Sequence, residues 1–323
     1  VPGDVVGLIA PNGPGFAVAF HGILRAGATA TTLNALYTAK EIGNQLADAG
    51  AVALVTVAPL LERTRSAAHR LGIADERVVV LDGAEGHPSL ADVLALAAPP
   101  PRVQLDPATH LAVLPYSSGT TGHPKGVMLT HRNLVANVTQ CASIGVGGDD
   151  VVLAVLPFFH IYGMTVLLNY ALLHRARLVT MPRFDLAELL RLIEEHRLTW
   201  LFIAPPIAVA LAKHPSVDGV DTSSVKALFS GAAPLDHHLA DEHGMRPHPQ
   251  STLAIERPVQ HQRLQRLAVA DHLEHFVVAA LVVAVQAGRE GGQFVQGFHA
   301  RIVPVTGGRM PAGFAARRPS AAV

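Results

Sequence analysis

The stretch from Leu114 to Asn133, LPYSSGTTGHPKGVMLTHRN, leaves a chain few ways to fold around it. It opens on the end of an apolar run, Leu111 to Tyr116, which reads as a short buried strand. Six small residues follow: Ser117, Ser118, Gly119, Thr120, Thr121 and Gly122. With nothing bulky at Cβ, such a loop can fold backbone N–H groups and hydroxyls around an anion. Pro124 stiffens the exit, and Lys125 supplies a mobile point charge suited to a phosphate. Val127, Met128 and Leu129 resume a strand, and Thr130 is placed to cap a helix beginning near His131. An ordinary surface loop is the plain alternative, but it does not explain two glycines, four hydroxyls and a lysine within nine residues. A kinase-type phosphate loop is the nearer rival. It needs Gly-x-x-x-x-Gly-Lys-[Ser/Thr] running straight into a helix, whereas Gly126 and an apolar strand follow Lys125.

Strands and helices alternate ahead of this loop. Val5 to Ala10 reads as a buried strand, Pro11-Asn12-Gly13-Pro14-Gly15 as a turn, and Phe16 to Ala26 as a helix capped by Gly27. Ala28 to Thr32 is a second strand, Lys40 to Ala49 a helix closed by Gly50, and Val52 to Val57 a third strand. The alternation argues for an α/β fold with an open, mainly parallel sheet. Asn34 and Tyr37 read as turn residues, and Pro99 to Pro101 as a stiff linker.

Beyond the loop, His131 to Ser143 reads as a helix carrying Cys141 as a buried thiol. Gly145 to Asp150 breaks it, and Val151 to Leu156 is a strand. Pro157-Phe158-Phe159-His160-Ile161-Tyr162-Gly163-Met164 then sets a histidine among aromatics at a strand end. Taken alone, such a histidine packs a core more often than it performs chemistry. Leu178 to Met181 is a strand ending in Pro182-Arg183-Phe184-Asp185, and Asp185 caps an amphipathic helix, Leu186 to His196. Trp200 to Ala204 is a strand, Ala208 to Lys213 a helix, and Val225 to Phe229 a strand leading into Ser230-Gly231-Ala232-Ala233-Pro234-Leu235. Small residues there let a flat ring lie against the backbone.

Length and composition set outer bounds. A chain of 323 residues suggests about two domains. A formal charge of zero points to neither nucleic acid nor an acidic membrane surface. The single cysteine excludes an internal disulfide and fits a reducing, cytoplasmic setting. The first residues, VPGDVVGLIAPN, carry neither an initiator methionine nor a basic leader and read as a start in mid-domain. Phe276 to Val285 is too short for a membrane helix, which takes about 20 residues.

Ser117 to Val127 resembles the phosphate loop SSGTTGxPKGV of the adenylate-forming (AMP-binding) enzymes, with His123 at the variable position. FFHIYG, MPRFDL, APPIAVALAKHP and SGAAPL add a likeness to the 4-coumarate–CoA ligase group of acyl-CoA synthetases. The resemblance implies the large N-terminal domain of that fold, mainly parallel sheets with flanking helices, here incomplete. It further implies an ATP-dependent carboxylic acid–CoA ligase using ATP, Mg²⁺ and coenzyme A on an aryl or fatty acid. Ser117, Ser118, Gly119, Thr120, Thr121, Gly122 and Lys125 would hold the phosphates, with Lys125, Thr120 and Thr121 serving the chemistry. Gly231, Ala232, Ala233 and Pro234 would seat adenine, Arg183 would meet the coenzyme A phosphates, and His160, Tyr162 and Gly163 would border the acyl pocket.

The likeness covers residues 1–235 and then stops. After Asp236 the chain turns rich in His, Gln and Arg, with no lysine after Lys226 and no tyrosine after Tyr170. The Tyr-Gly-x-Thr-Glu block and the catalytic lysine that the family implies are therefore missing, and residues 236–323 read as an out-of-frame or foreign tail. His237, His238, His243 and His248 lack a zinc spacing, so no protein metal cluster is expected. A non-catalytic nucleotide- or acyl-binding remnant and an ATP phosphohydrolase or kinase stand as alternatives. Exposed strand edges and the uncharged run Phe276 to Val285 point to poor solubility.

Overall fold

The structure, a computed structural model, describes residues 1–96, 99, 101–117, 124–231 and 301–302. From the N-terminus come β1 (Val5–Leu8), α1 (Pro14–Arg25), β2 (Thr29–Thr32), α2 (Ala39–Ala49), β3 (Ala51–Thr56), α3 (Leu61–His69), β4 (Val78–Val80) and α4 (Leu90–Ala95). Then follow β5 (Leu111–Val113), β6 (Tyr116–Ser117), β7 (Lys125–Thr130), α5 (His131–Gln140) and β8 (Val151–Ala154). A buried π-helical segment, Gly163–Asn169, runs into α6 (Tyr170–Leu173). Next are β9 (Arg177–Thr180), α7 (Leu186–His196), β10 (Trp200–Ile203), α8 (Pro205–Lys213) and β11 (Ala227–Ser230), and finally β12 (Arg301–Ile302).

Local chemistry explains most boundaries. α2 opens on a reciprocal Thr38–Glu41 capping box and ends at Gly50 in the left-handed region. α5 uses Thr130 and Asn133 in the same way, and the Asp185 side chain accepts from Glu188 N at the start of α7. α8 begins at Pro205, three residues earlier than the sequence suggests, because proline fits a first helical turn that lacks partners for its N–H groups. α5 stops at Gln140 and tightens into a 3₁₀ turn, Cys141–Ile144, so the helix expected to Ser143 is shorter. The single strand expected from Leu111 to Tyr116 is divided at Pro115, which has no N–H to continue a ladder.

Two sheets result. The first has the order β12-β7-β5-β2-β1-β3-β4, with β6 attached to β7. β5, β2, β1, β3 and β4 run parallel, while β7 is antiparallel to β5, β6 and β12. The second, β11-β10-β8-β9, is wholly parallel. One apolar cluster spans both: Phe16, Phe20 and Ile23 of α1 pack with Val152 and Leu153 of β8, Leu189 and Ile193 of α7, and Phe202 of β10.

Asn12, in the turn after β1, ties the two sheets together by polar contacts. Its Nδ2 donates to Ala154 O and Leu156 O, both at 2.9 Å, and its Oδ1 accepts from Phe158 N at 2.8 Å. The residue is 8% exposed, so these bonds form away from bulk water. Phe16 and Phe158 meet beside it with ring centroids 5.7 Å apart. Asn12→Ala leaves Phe158 N–H and Leu156 O in the loop after β8 without this partner, while Ala154 O keeps its bond from Met181 N at 3.1 Å. An expected loss of about 2–4 kcal/mol follows. Urea unfolding checks it; a loss under about 1 kcal/mol would mean that the apolar interface alone joins the sheets.

Candidate functional site

The phosphate-loop sequence hangs from a hairpin. β6 pairs with β7 so that Tyr116 faces Gly126 and Ser117 faces Lys125. Ser118, Gly119, Thr120, Thr121, Gly122 and His123 lie outside the described residues, so the two strands define the loop by its ends. Lys125 is the first residue of β7 and half-buried, not a side chain of the flexible loop as the sequence suggests. Among the described residues no carboxylate pairs with it. The hairpin base is held by Tyr116, whose hydroxyl donates to Asp48 Oδ2 at 2.6 Å, near the end of α2. Burial, followed by this carboxylate, raises the Tyr116 pKa, so the phenol stays protonated and keeps donating.

The second group follows β8. His160 retains an exposed surface, while Tyr162 is 2% exposed and Gly163 is buried. A Cβ on Gly163 would stand 2.1 Å from Pro157 O, so glycine is what lets the π-helical segment begin against this loop. His160 Nδ1 accepts from Tyr162 N at 3.3 Å, which places the ring proton on Nε2 in the neutral form. The Tyr162 hydroxyl is buried and has no hydrogen-bond partner among the described residues, and burial raises its pKa. Nearby Cys141 is also buried, which pushes its thiol up to about 11, so it is an inert packing group.

The remaining sequence-predicted residues lie past the carboxyl ends of other strands in the same sheet. Arg183 is exposed beyond β9, and Gly231 is buried after β11, its N–H donating to Ile203 O at 3.0 Å. β9 and β11 are opposite edges, three strand spacings or roughly 14 Å apart. The structure therefore groups His160, Tyr162 and Gly163 on one segment and Ser117 with Lys125 on one hairpin. It sets Arg183 and Gly231 on opposite margins; Ala232, Ala233 and Pro234 lie outside the described residues. The carboxyl ends of a parallel sheet are the usual place for a ligand.

Sequence reasoning missed the groups that fix these segments. Thr31 and Thr32 are 0% and 3% exposed in β2, and Gln45 is 5% exposed on α2. Buried threonines in a short strand require partners, and that was the available signal. Among the described residues no group of three His, Cys, Asp or Glu side chains could hold a metal ion, and no helix is long and apolar enough to cross a membrane.

Comparison with known proteins gives a consistent family. The family described as "AMP-binding enzyme" matches residues 1–245. A 4-coumarate–CoA ligase of Oryza sativa subsp. japonica is 41% identical over 248 residues, 74% of this chain and 44% of that protein. A probable 4-coumarate–CoA ligase of Dictyostelium discoideum is 35% identical over 258 residues, 74% of this chain and 47% of that protein. The chain thus spans about half the length of the curated relatives it matches. An inhibitor-bound N-terminal domain of FACL13 from Mycobacterium tuberculosis superposes with a TM-score of 0.65 at 29% identity, covering 76% of this chain and 60% of that one. ATP-bound MatB from Rhodopseudomonas palustris gives 0.64 at 29% identity, covering 75% and 47%.

The electrostatics of His160 make a pH prediction. Although part of the residue reaches solvent, the surrounding protein desolvates the ring and pushes its pKa below the usual histidine value, so the folded chain disfavours the imidazolium. Its stabilising share is complete above the unfolded pKa of about 6.5 and is lost as pH falls below it. Protonating Nδ1 would also remove the acceptor for Tyr162 N–H. Stability should therefore fall less between roughly pH 7 and pH 5 in His160→Gln than in the parent. His131, depressed by burial and by His110, leaves some acid sensitivity in both. Urea titrations at the two pH values decide it: equal losses mean that His160 is not linked to folding.

Proposed function

The chain belongs to the AMP-binding enzyme family, and from that premise we propose that it carries the ATP- and acid-binding half of a carboxylic acid–CoA ligase. The observation that carries this reading is the hairpin pairing of Ser117 with Lys125, which bounds a sequence of small hydroxyl residues with a lysine that no carboxylate pairs among the described residues. In the reaction, a carboxylate oxygen attacks the α-phosphorus of ATP and pyrophosphate leaves. The coenzyme A thiol then attacks the acyl carbonyl and AMP departs. Joining two anions requires charge neutralisation and alignment, which the loop's hydroxyls and N–H groups with Lys125 would supply.

Within this reading, Ser117 to Gly122 and Lys125 hold the β- and γ-phosphates, with Lys125, Thr120 and Thr121 closest to the chemistry. Gly231 to Pro234 seat adenine, and His160, Tyr162 and Gly163 shape the acyl pocket for an aryl or fatty acid. Arg183, exposed on the far margin, is suited to the phosphates of coenzyme A arriving from solvent. A Mg²⁺ ion would be held by phosphate oxygens and water together with one or two carboxylates, its ordinary habit. It would supply positive charge against the polyphosphate.

The 323-residue chain itself completes no thioester on this reading, because residues 236–323 contain neither lysine nor tyrosine to follow the family's pattern. That composition also favours a second reading, a nucleotide- or acyl-binding remnant without turnover.

Assay of the chain with ATP, Mg²⁺, coenzyme A and a panel of 4-coumarate, cinnamate and medium-chain fatty acids separates these readings. ATP–pyrophosphate exchange dependent on the acid marks adenylation, orthophosphate release marks a hydrolase, and binding without either marks the remnant. No thioester is expected; a clear thioester product would overturn the assignment of the tail. Lys125→Ala should weaken ATP binding about 10- to 100-fold, the value of a charge-assisted contact, with an unchanged urea midpoint. A fall in stability without a change in ATP affinity would remove Lys125 from the site.

A further inference from the structure

Both arms of the candidate site are fastened to one buried side chain. Gln45 of α2 donates from Nε2 to Thr31 Oγ1 and to Thr32 O, each at 3.0 Å. Thr31 Oγ1 in turn donates a hydrogen bond to Leu114 O at 2.9 Å. Thr32 Oγ1 donates to Phe159 O at 2.8 Å. Leu114 stands two residues before Tyr116 at the base of the phosphate hairpin, and Phe159 immediately precedes His160.

The geometry explains why side chains are needed here. Neighbouring residues of a strand point to opposite faces, so Thr31 and Thr32 reach in opposite directions from β2. Leu114 N donates to Ala30 O at 2.8 Å as the last rung between this segment and β2 among the described residues, and beyond it the Thr31 hydroxyl takes the Leu114 carbonyl. On the opposite side, Phe159 belongs to the loop after β8 of the second sheet and has no ladder partner in β2. α2 can come close enough because β1 carries Gly7 beneath Leu46, where a Cβ would lie 2.5 Å from the Leu46 Cδ2 atom. The same helix holds Asp48, the acceptor for Tyr116.

We propose that Gln45 is a positioning residue: through Thr31 and Thr32 it sets the phosphate hairpin and the His160 segment in one register, so that ATP and the acid meet in a fixed relation. The site role rests on the function proposed above, whereas the coupling itself rests on the hydrogen bonds alone. Gln45 touches neither substrate. Its effect is branched, with one arm leaving through each threonine.

Hydrogen exchange on the 323-residue chain, with ATP–Mg²⁺ binding measured on the same samples, tests this. Thr31→Val cuts the first branch and should speed exchange at Leu114 and Tyr116 about three- to tenfold while sparing Phe158 and His160. Thr32→Val should do the reverse, and Gln45→Leu should release both segments. Exchange at Leu201 in β10, far from the branch point, should stay at the parent rate in all three. Thr31→Ser keeps the hydroxyl and should restore the parent pattern. Gln45→Leu and Thr31→Val should also raise the ATP Kd by a similar factor.

A uniform rise in exchange, or no change at either segment, would overturn the coupling. The branched pattern with unchanged ATP affinity would overturn the positioning role. If the parent binds no ATP, the functional reading falls with the site role, and the exchange pattern then decides the coupling alone.

Discussion

The Asn12 carboxamide is the contact on which the arrangement of this molecule depends. An apolar interface between two sheets is non-directional, and by itself it tolerates sliding. Asn12 removes that freedom because its amide has two donors and an acceptor in fixed geometry, matched by Ala154 O, Leu156 O and Phe158 N–H. The three partners are the end of β8 and the loop that leads to His160. One side chain of the first sheet thereby dictates where the second sheet delivers its site segment. Thr32, bonded to Phe159 O, repeats the device one strand away.

Polar groups at such places cost desolvation, so their value lies in specificity more than in stability. The core is otherwise apolar, and its Phe, Leu and Val side chains would pack at several registers with similar energy. Asn12, Thr31, Thr32 and Gln45 select one of these, since any other register would strand buried donors and acceptors. The Tyr116–Asp48 bond extends the same logic to the hairpin, where a proline has interrupted the ladder.

Regular elements were legible where a local signal existed. α7 begins and ends as its Asp185 cap and amphipathic spacing require, and α2 follows its Thr38–Glu41 box. Less was legible where tertiary context decided the outcome. The helical run Gly163–Leu173 opens on a glycine that the close approach of Pro157 O demands, a fact invisible to periodicity. Lys125 reads as a loop residue beside glycines, yet cross-strand pairing with Ser117 draws it into β7. The candidate site divided in the same way. Residues with distinctive local chemistry, such as the Ser117–Lys125 run and His160, could be singled out. Asn12 reads as a turn residue, Gln45 as one polar position on a helix, and the threonines as strand formers. Their partners lie from 13 to 146 residues away, and no local pattern encodes a partner at that distance.

The charge distribution follows from this framework. The proposed phosphate site would need a cation whose charge is not already spent on a neighbour, and among the described residues the ion pairs lie elsewhere. Asp150, buried at the start of β8, is held by Lys226 at 2.6 Å. Burial works to raise its pKa, but the Lys226 ammonium and the Gly147 N–H outweigh it and keep the carboxylate charged. That pair closes the amino end of the second sheet, opposite to the end where His160, Arg183 and Gly231 emerge. Arg191 is similarly occupied by Glu188 and Glu195 on the outer face of α7. Lys125 has no such carboxylate among the described residues, and β-sheet pairing of its backbone holds it beside the small-residue loop. A lysine placed on a strand loses less freedom on meeting an anion than one in a free loop, because its backbone is already fixed. The buried network behind β2 and α2 orders the base of that hairpin through Gln45, Thr31 and Leu114, and under the proposed function this advance ordering is what it would lend to ligand binding.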